Sequence, residues 1–400
     1  MVLTVVTAFG VLAGAALAGA APAGAVPAGE RIAPGVTYRQ FDVRAAAGTA
    51  HAHLLTVDLA DPHVRVDLLQ PGAVAARATV SAMADSAGAV AGVNGDFFHI
   101  TETQHPGVAA TGASVGPAIA DGRVLKAAVP DGQRFGPTLP PGTGTRDVFG
   151  VGTDRRARLD RLSLVGRVAT PEGTFPLRGL NQYALAENSV GAFTSRWGSA
   201  SRMRAVCGSD SERSAPCSTD TYEVSVRGGR VVAASEAPGS GTVPADTTVL
   251  VGREAGAQRL RKLSLGDTVT VTHTLVAASS GVPYAFAIGG FPVLRHGEAL
   301  SGLDDVTSTV RTVVGFRGGG HQLLILALDG AAAYRTGMTV AEEADTMRLL
   351  GASDAFNLDG GGSTELVSRD DGARAVTVRN HPSTGAERPV ANGIGIFSTH

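Results

Sequence analysis

Asn357-Leu358-Asp359-Gly360-Gly361-Gly362-Ser363-Thr364 completes the short apolar run that begins at Ala355-Phe356. The run reads as a buried strand, and it delivers a carboxylate to its own end. Three glycines and two hydroxyls follow. Lacking Cβ atoms, the glycines admit left-handed angles and let a ligand come close to the backbone. Their N–H groups can ring an anion. Two readings stand side by side: a mouth for sugar or phosphate, and a tight turn with a capping Asp.

Upstream, Leu323-Leu324-Ile325-Leu326-Ala327-Leu328 is a second apolar run, and it ends at Asp329-Gly330. Between the two runs, Thr339-Val340-Ala341-Glu342 has the form of a capping box that opens a helix. Val340, Ala344 and Met347 then share one face, and Gly351 supplies the stop. The unit is strand–helix–strand with an acid at each strand end. Asp329 and Asp359 fall on one rim if the strands are parallel neighbours.

Further out, Leu55–Leu59 and Val64–Leu68 alternate apolar and polar residues about a turn. Thr79–Ala89 reads as a short helix with a capping Thr79, leading into a buried strand that ends at Asn94-Gly95-Asp96-Phe97-Phe98. From about 149 to 280 the pattern is strand and turn, with Gly228-Gly229 as a two-residue hairpin signal. The expected fold is α+β: a mixed β-sheet with flanking helices, in a domain over 36–400 that carries a β-rich insertion at about 149–280.

The chain has 400 residues, 44% apolar, with a formal charge of -2 and no basic run, so no electrostatic case exists for nucleic acid. Its 53 glycines are nearly twice the ordinary share of about 7% and follow no collagen period, which fits many tight turns. Residues 1–28 read as a secretory signal peptide or N-terminal anchor, weakly hydrophobic for a membrane span. No membrane span is expected in the mature chain, and the expected location is secreted or cell-surface. Cys207 and Cys217 are the two cysteines, and in an exported chain they read as a short-range disulfide.

Five blocks then occur in one order. They are Asn94-Gly95-Asp96-Phe97-Phe98, Ile288-Gly289-Gly290-Phe291-Pro292-Val293-Leu294, Arg311-Thr312-Val313-Val314-Gly315-Phe316, the 357–364 loop, and Asn380-His381-Pro382 with Glu387-Arg388-Pro389-Val390-Ala391-Asn392-Gly393. Together they resemble the phosphodiester glycosidase family. The resemblance implies hydrolysis of a sugar whose anomeric oxygen is joined to a phosphodiester. Such a reaction passes through an oxocarbenium-like state that a carboxylate stabilises, while a cation and N–H donors hold the phosphate.

On that reading Asp359 is the nucleophile or electrostatic stabiliser, Asp329 the second carboxylate and Arg311 the phosphate-binding cation. Asn94, Asp96, Gly289, Gly290, Gly360, Gly361, Gly362 and Ser363 are expected substrate contacts. Glu365 is a spare acid ranked below Asp329. No cofactor is required. The expected partner is a glycosyl phosphodiester or a cell-wall glycopolymer. Two rivals stay open: a metal-dependent phosphodiesterase that breaks P–O with a divalent cation on Asp96, Asp329 and Asp359, and a non-catalytic wall-binding protein.

Overall fold

A computed structural model describes residues 29–330, 333 and 336–399. The leader read over 1–28 lies outside the described residues. Strand accounts for 41% of the structure and helix for 10%, so layers are made by sheets packing on sheets.

The largest sheet has eight strands in the order Glu30–Ala33, Val36–Ala45, Gly48–Asp58, Gln322–Leu328, Thr312–Arg317, Asp354–Asn357, Phe291–Arg295, Glu298–Ala299. Its neighbours all pair antiparallel. The two acid-tipped strands are therefore parallel in direction but not adjacent, because Thr312–Arg317 runs between them. Gln322–Leu328 shows why its sequence is apolar throughout. Leu324, Leu326 and Leu328 enter one core, and Leu323, Ile325 and Ala327 enter another on the opposite face.

The flanking helices expected from the sequence are few and short. Among the described residues, the α-helices are Val80–Ala87, Ala255–Leu260 and Val340–Leu349. The last carries the capping box: Thr339 Oγ1 accepts from the Glu342 N–H at 3.2 Å, and Glu342 accepts from the Thr339 N–H at 2.8 Å. Its Val340, Ala344 and Met347 bury against the large sheet. Truncating Met347 to Ala would cost about 2–5 kcal/mol, the usual range for a buried side chain of this size.

A five-stranded antiparallel sheet covers the other face, in the order Val376–Val378, Leu366–Arg369, Ala91–Asn94, Gly393–Ser398, Val64–Leu69. Val93, Ile394 and Ile396 from this sheet meet Ile325 and Phe356 from the first. Residues 149–280 contribute to a seven-stranded sheet and form a further five-stranded one around Thr221–Arg227 and Thr247–Arg253. The hairpin turns at Gly228 and Gly229, with φ of 55° and 76°. Cys207 and Cys217 are joined as a disulfide.

Candidate active site

Two strand ends from two sheets meet. Ala91–Asn94 continues into Gly95-Asp96, and Asp354–Asn357 continues into Leu358-Asp359. The Asp359 N–H donates to the Gly95 carbonyl at 2.8 Å, and Asn94 Nδ2 donates to the Asp359 carbonyl at 2.6 Å. Asn94 Oδ1 accepts from Thr312 Oγ1 at 2.8 Å and from the Glu365 N–H at 3.1 Å. The buried Asn94 amide thus rivets the loop and has little left to offer a substrate. The acid that faces Asp359 is Asp96.

Asp96 is built in with equal care. Asn392 Oδ1 accepts its N–H at 3.0 Å, and the Gly116 N–H donates to its Oδ2 at 2.6 Å. A Cβ on Gly289 would sit 2.5 Å from that oxygen, so the glycine makes room for the carboxylate. Its Oδ1 is buried without a hydrogen-bond partner. Burial drives the Asp96 carboxyl upward, opposed by the Lys126 ammonium. Lys126 is itself buried, with Nζ donating to the carbonyls of Ala127 at 2.7 Å, Val115 at 3.2 Å and Gly116. Arg134, whose guanidinium lies 5.4 Å from the Phe97 ring centre, also acts on Asp96.

Asp359 is partly accessible. Its carboxyl is pushed up to about 7, first by desolvation and also by the Asp96 charge, against the pull of Ser363, Arg388 and the Gly360 N–H. Gly361 takes a left-handed φ of 59°. At Gly362 an added Cβ would fall 2.1 Å from Arg388 Nη2, so the guanidinium rests on the bare backbone. Arg388 Nη1 also donates to Ser363 Oγ at 3.3 Å. The loop is less open to anions than its sequence suggests. The N–H groups of Gly361, Ser363 and Thr364 already reach the carbonyls of Val310, Gly360 and Gly361.

Arg311, expected to hold phosphate, is turned elsewhere. Its Nε donates to the Met338 carbonyl at 2.9 Å and its Nη2 to the Thr307 carbonyl at 2.8 Å, and the side chain is buried. Its charge acts on Glu343, which is fully buried. The cation at Asp359 is Arg388, a residue inside the last quoted block whose role the sequence did not single out.

Asp329 is likewise apart from Asp359. His53 Nε2 bonds its Oδ1 at 2.9 Å, and the His381 N–H donates to the same oxygen at 2.6 Å. Burial would raise this carboxyl, but those bonds prevail and hold it below the ordinary carboxylate range. Gly290 is pressed against the Asn357 carbonyl, 2.4 Å from where a Cβ would stand. Glu365 is buried and pushed up to about 9 by desolvation and by Glu387, which in turn accepts from Ser81 Oγ at 2.6 Å. Glu387 directly precedes Arg388 and so ties that segment to the start of the Val80–Ala87 helix.

Two carboxyls raised by burial thus meet at the ends of sheet strands, with the Arg388 guanidinium beside Asp359. The phosphodiester glycosidase family model matches residues 220–397, so this portion of the chain is similar to that family. The matched span holds Asp359, the glycine loop and Arg388. Asn94 and Asp96 lie before it.

In fold, the chain is similar to a hypothetical protein from Synechocystis, with TM-score 0.68 and 19% identity over 92% of this chain and 62% of that one. It is also similar to a protein of Burkholderia pseudomallei K96243 provisionally described as exported, with TM-score 0.66 and 22% identity over 87% and 74%. A zebrafish N-acetylglucosamine-1-phosphodiester alpha-N-acetylglucosaminidase catalytic domain, auto-inhibited by its pro-peptide, matches with TM-score 0.45 and 16% identity over 91% and 83%. This chain spans 62% of the length of the Synechocystis protein. No curated protein matches the sequence.

Proposed function

We propose that the protein is an exported hydrolase that cleaves a sugar-1-phosphodiester at the anomeric C–O bond, releasing the sugar and a phosphomonoester. The observation that carries this reading is the meeting of Asp359, Asp96 and Arg388 at one rim. Arg388 and Ser363 Oγ hold the phosphate oxygens, since a guanidinium pairs with phosphate at two points. Bound phosphate leaves as a weak base, so the main task is to stabilise positive charge at the anomeric carbon. Asp359 does this in its ionised form, and Asp96, charged or sharing its proton, sets when that form is available. Export is supported by the Cys207–Cys217 disulfide.

The rival P–O cleavage needs carboxylates around a cation, and Asp329 is committed to His53 and His381. That leaves Asp96 and Asp359 as its donors. The other clustered ligand atoms among the described residues are those of His105, Cys207 and Cys217, and both sulfurs are spent in the disulfide. Hydrolysis in ¹⁸O-water tests the proposal: label in the sugar hydroxyl is expected. Label in the phosphate, with activity lost to a chelator, would make the metal-dependent phosphodiesterase the better account. No turnover of any glycosyl phosphodiester would leave a wall-binding protein.

A further inference from the structure

Away from the Asp359 rim, three cavities of about 420, 460 and 300 Å³ lie in series around the β-rich stretch. The first and second share Arg178, Ala186 and Asp210, and the second and third share Pro176 and Arg259. They make one elongated groove. Its walls include the hairpin of Ala157–Thr170 with Gly173–Pro176, the Ala255–Leu260 helix and the disulfide-closed loop 207–217. Each cavity alone has the size of a small-molecule site, about 300–1,000 Å³, so the series suits a longer chain.

The groove is held open by the fold itself. The Gly132 N–H donates to the Asp210 carbonyl at 3.0 Å, and the Arg178 N–H donates to the Val190 carbonyl at 2.9 Å. Ala257 and Leu260 are buried and seat the helix that carries Arg259.

The charged groups of the lining divide into two kinds. Most of the acids are engaged by backbone donors. Asp131 Oδ1 accepts from the N–H and the Oγ1 of Thr145, each at 2.8 Å. Asp210 Oδ1 accepts from the Glu187 N–H at 3.0 Å, and Glu187 Oε2 accepts from the Asp210 N–H at 3.2 Å. The cations are available. Arg146, Arg178, Arg259 and Lys262 are exposed, and none forms an ion pair among the described residues. Arg146 Nη1 donates to Ser163 Oγ at 3.2 Å, and the Arg259 guanidinium stands 5.8 Å from the Phe175 ring centre, a cation–π distance. Against these four stands Glu172 at the hairpin turn, an acid with no such bond among the described residues.

We propose that this groove binds a linear, hydroxyl-rich polymer that carries an anionic group on each repeat. Arg178 and Arg259 anchor it, because each stands where two cavities join. Guanidinium forks pair with phosphate and carboxylate alike, and repeated charge lets several modest surface contacts add along one chain. The inference does not rest on the glycosidase reading, since it needs no bond to be cleaved.

Binding to the full chain tests it with three probes: poly(glycerol phosphate), which has no anomeric bond to cleave, polygalacturonate, and neutral dextran. At least one polyanion should bind, with dextran at least about tenfold weaker, and the tighter polyanion identifies phosphate or carboxylate as the preferred charge. Arg178→Glu and Arg259→Glu should each weaken binding by about tenfold, the scale of one charge-assisted hydrogen bond. Arg156→Glu alters net charge equally, but it lies in the exposed turn before Ala157, at the other end of the Ala157–Thr170 strand. It should leave binding within about twofold. Should a reversal lower the thermal midpoint, Arg178→Gln and Arg259→Gln take its place. No binding of either polyanion, dextran bound as tightly, or equal losses in all three reversals would overturn the groove.

Discussion

Asp329 and Asp359 look alike in sequence: each ends an apolar strand, each is followed by glycine, and both strands belong to one sheet. Their surroundings make them opposites. Both are desolvated, yet Asp329 accepts from His53 and from the His381 N–H and is held low, while Asp359 faces the Asp96 charge and rises to about 7. What an acid at a strand end can do is set by the groups that donate to it and repel it. Its place in the strand does not decide the matter.

The sharpest way to break the comparison is to neutralise each acid in turn. Asp359→Asn should lower kcat on a glycosyl phosphodiester by roughly 10²–10³-fold, the loss typical of removing a major electrostatic stabiliser. Ligand binding should persist. Asp329→Asn should keep most turnover of a small diester. Comparable losses would return Asp329 to the chemistry.

The two arginines give the next largest contrast. Arg388→Ala should cut kcat/KM by about tenfold to a hundredfold through lost charge-assisted bonds to phosphate, with little change in stability. Arg311→Ala should do the reverse. It strands two carbonyls and the buried Glu343, so stability falls by about 1–3 kcal/mol while the intact fraction keeps its KM. A raised KM in Arg311→Ala would restore its expected role.

Stability against pH separates the acids without any substrate. Asp359 is raised in the folded state, so between about pH 4 and 7 the native protein keeps a proton that the unfolded chain has released. Its contribution to stability therefore declines as pH rises across that window. Asp359→Asn should gain on the wild type from pH 4 to 7.5 in urea unfolding. Asp329 is lowered, so its contribution is complete above the unfolded carboxylate range and lost as pH falls through its folded value. Asp329→Asn should cost most near neutrality, about 1–3 kcal/mol, and converge with the wild type in acid. Parallel curves for the two variants would contradict the assignment.

The smallest effect concerns the Glu387 anchor. Ser81→Ala removes one hydrogen bond to Glu387 and should raise KM for the phosphodiester by only a few-fold, in keeping with about 1 kcal/mol. An unchanged KM would mean that Arg388 is held by the glycine loop alone.

These contrasts also mark what could be read from the sequence. The Gln322–Leu328 strand, the Thr339 capping box, the Gly228-Gly229 hairpin and the glycine turn after Asp359 were legible, because each is governed by local spacing. The partnership of Asp96 with Asp359 was not, since it depends on two sheets meeting through Asn94 and Gly95. The position of the Thr312–Arg317 strand between the acid-tipped strands was equally hidden, because a helical crossover does not reveal that an earlier strand already occupies the place beside it. Arg311 and Arg388 both stood in the quoted blocks. Their directions are set by the 304–309 and 380–388 loops, which carry no periodic signal. Gly362 held one clue in hindsight: a bare backbone position invites a close neighbour, and that neighbour is a guanidinium.

The most direct test is a site-resolved ¹³C titration of the two carboxyls in the unmodified protein. The account predicts a midpoint near 7 for Asp359 and one below the ordinary carboxylate range for Asp329. Two midpoints near 4, or the reverse order, would contradict it.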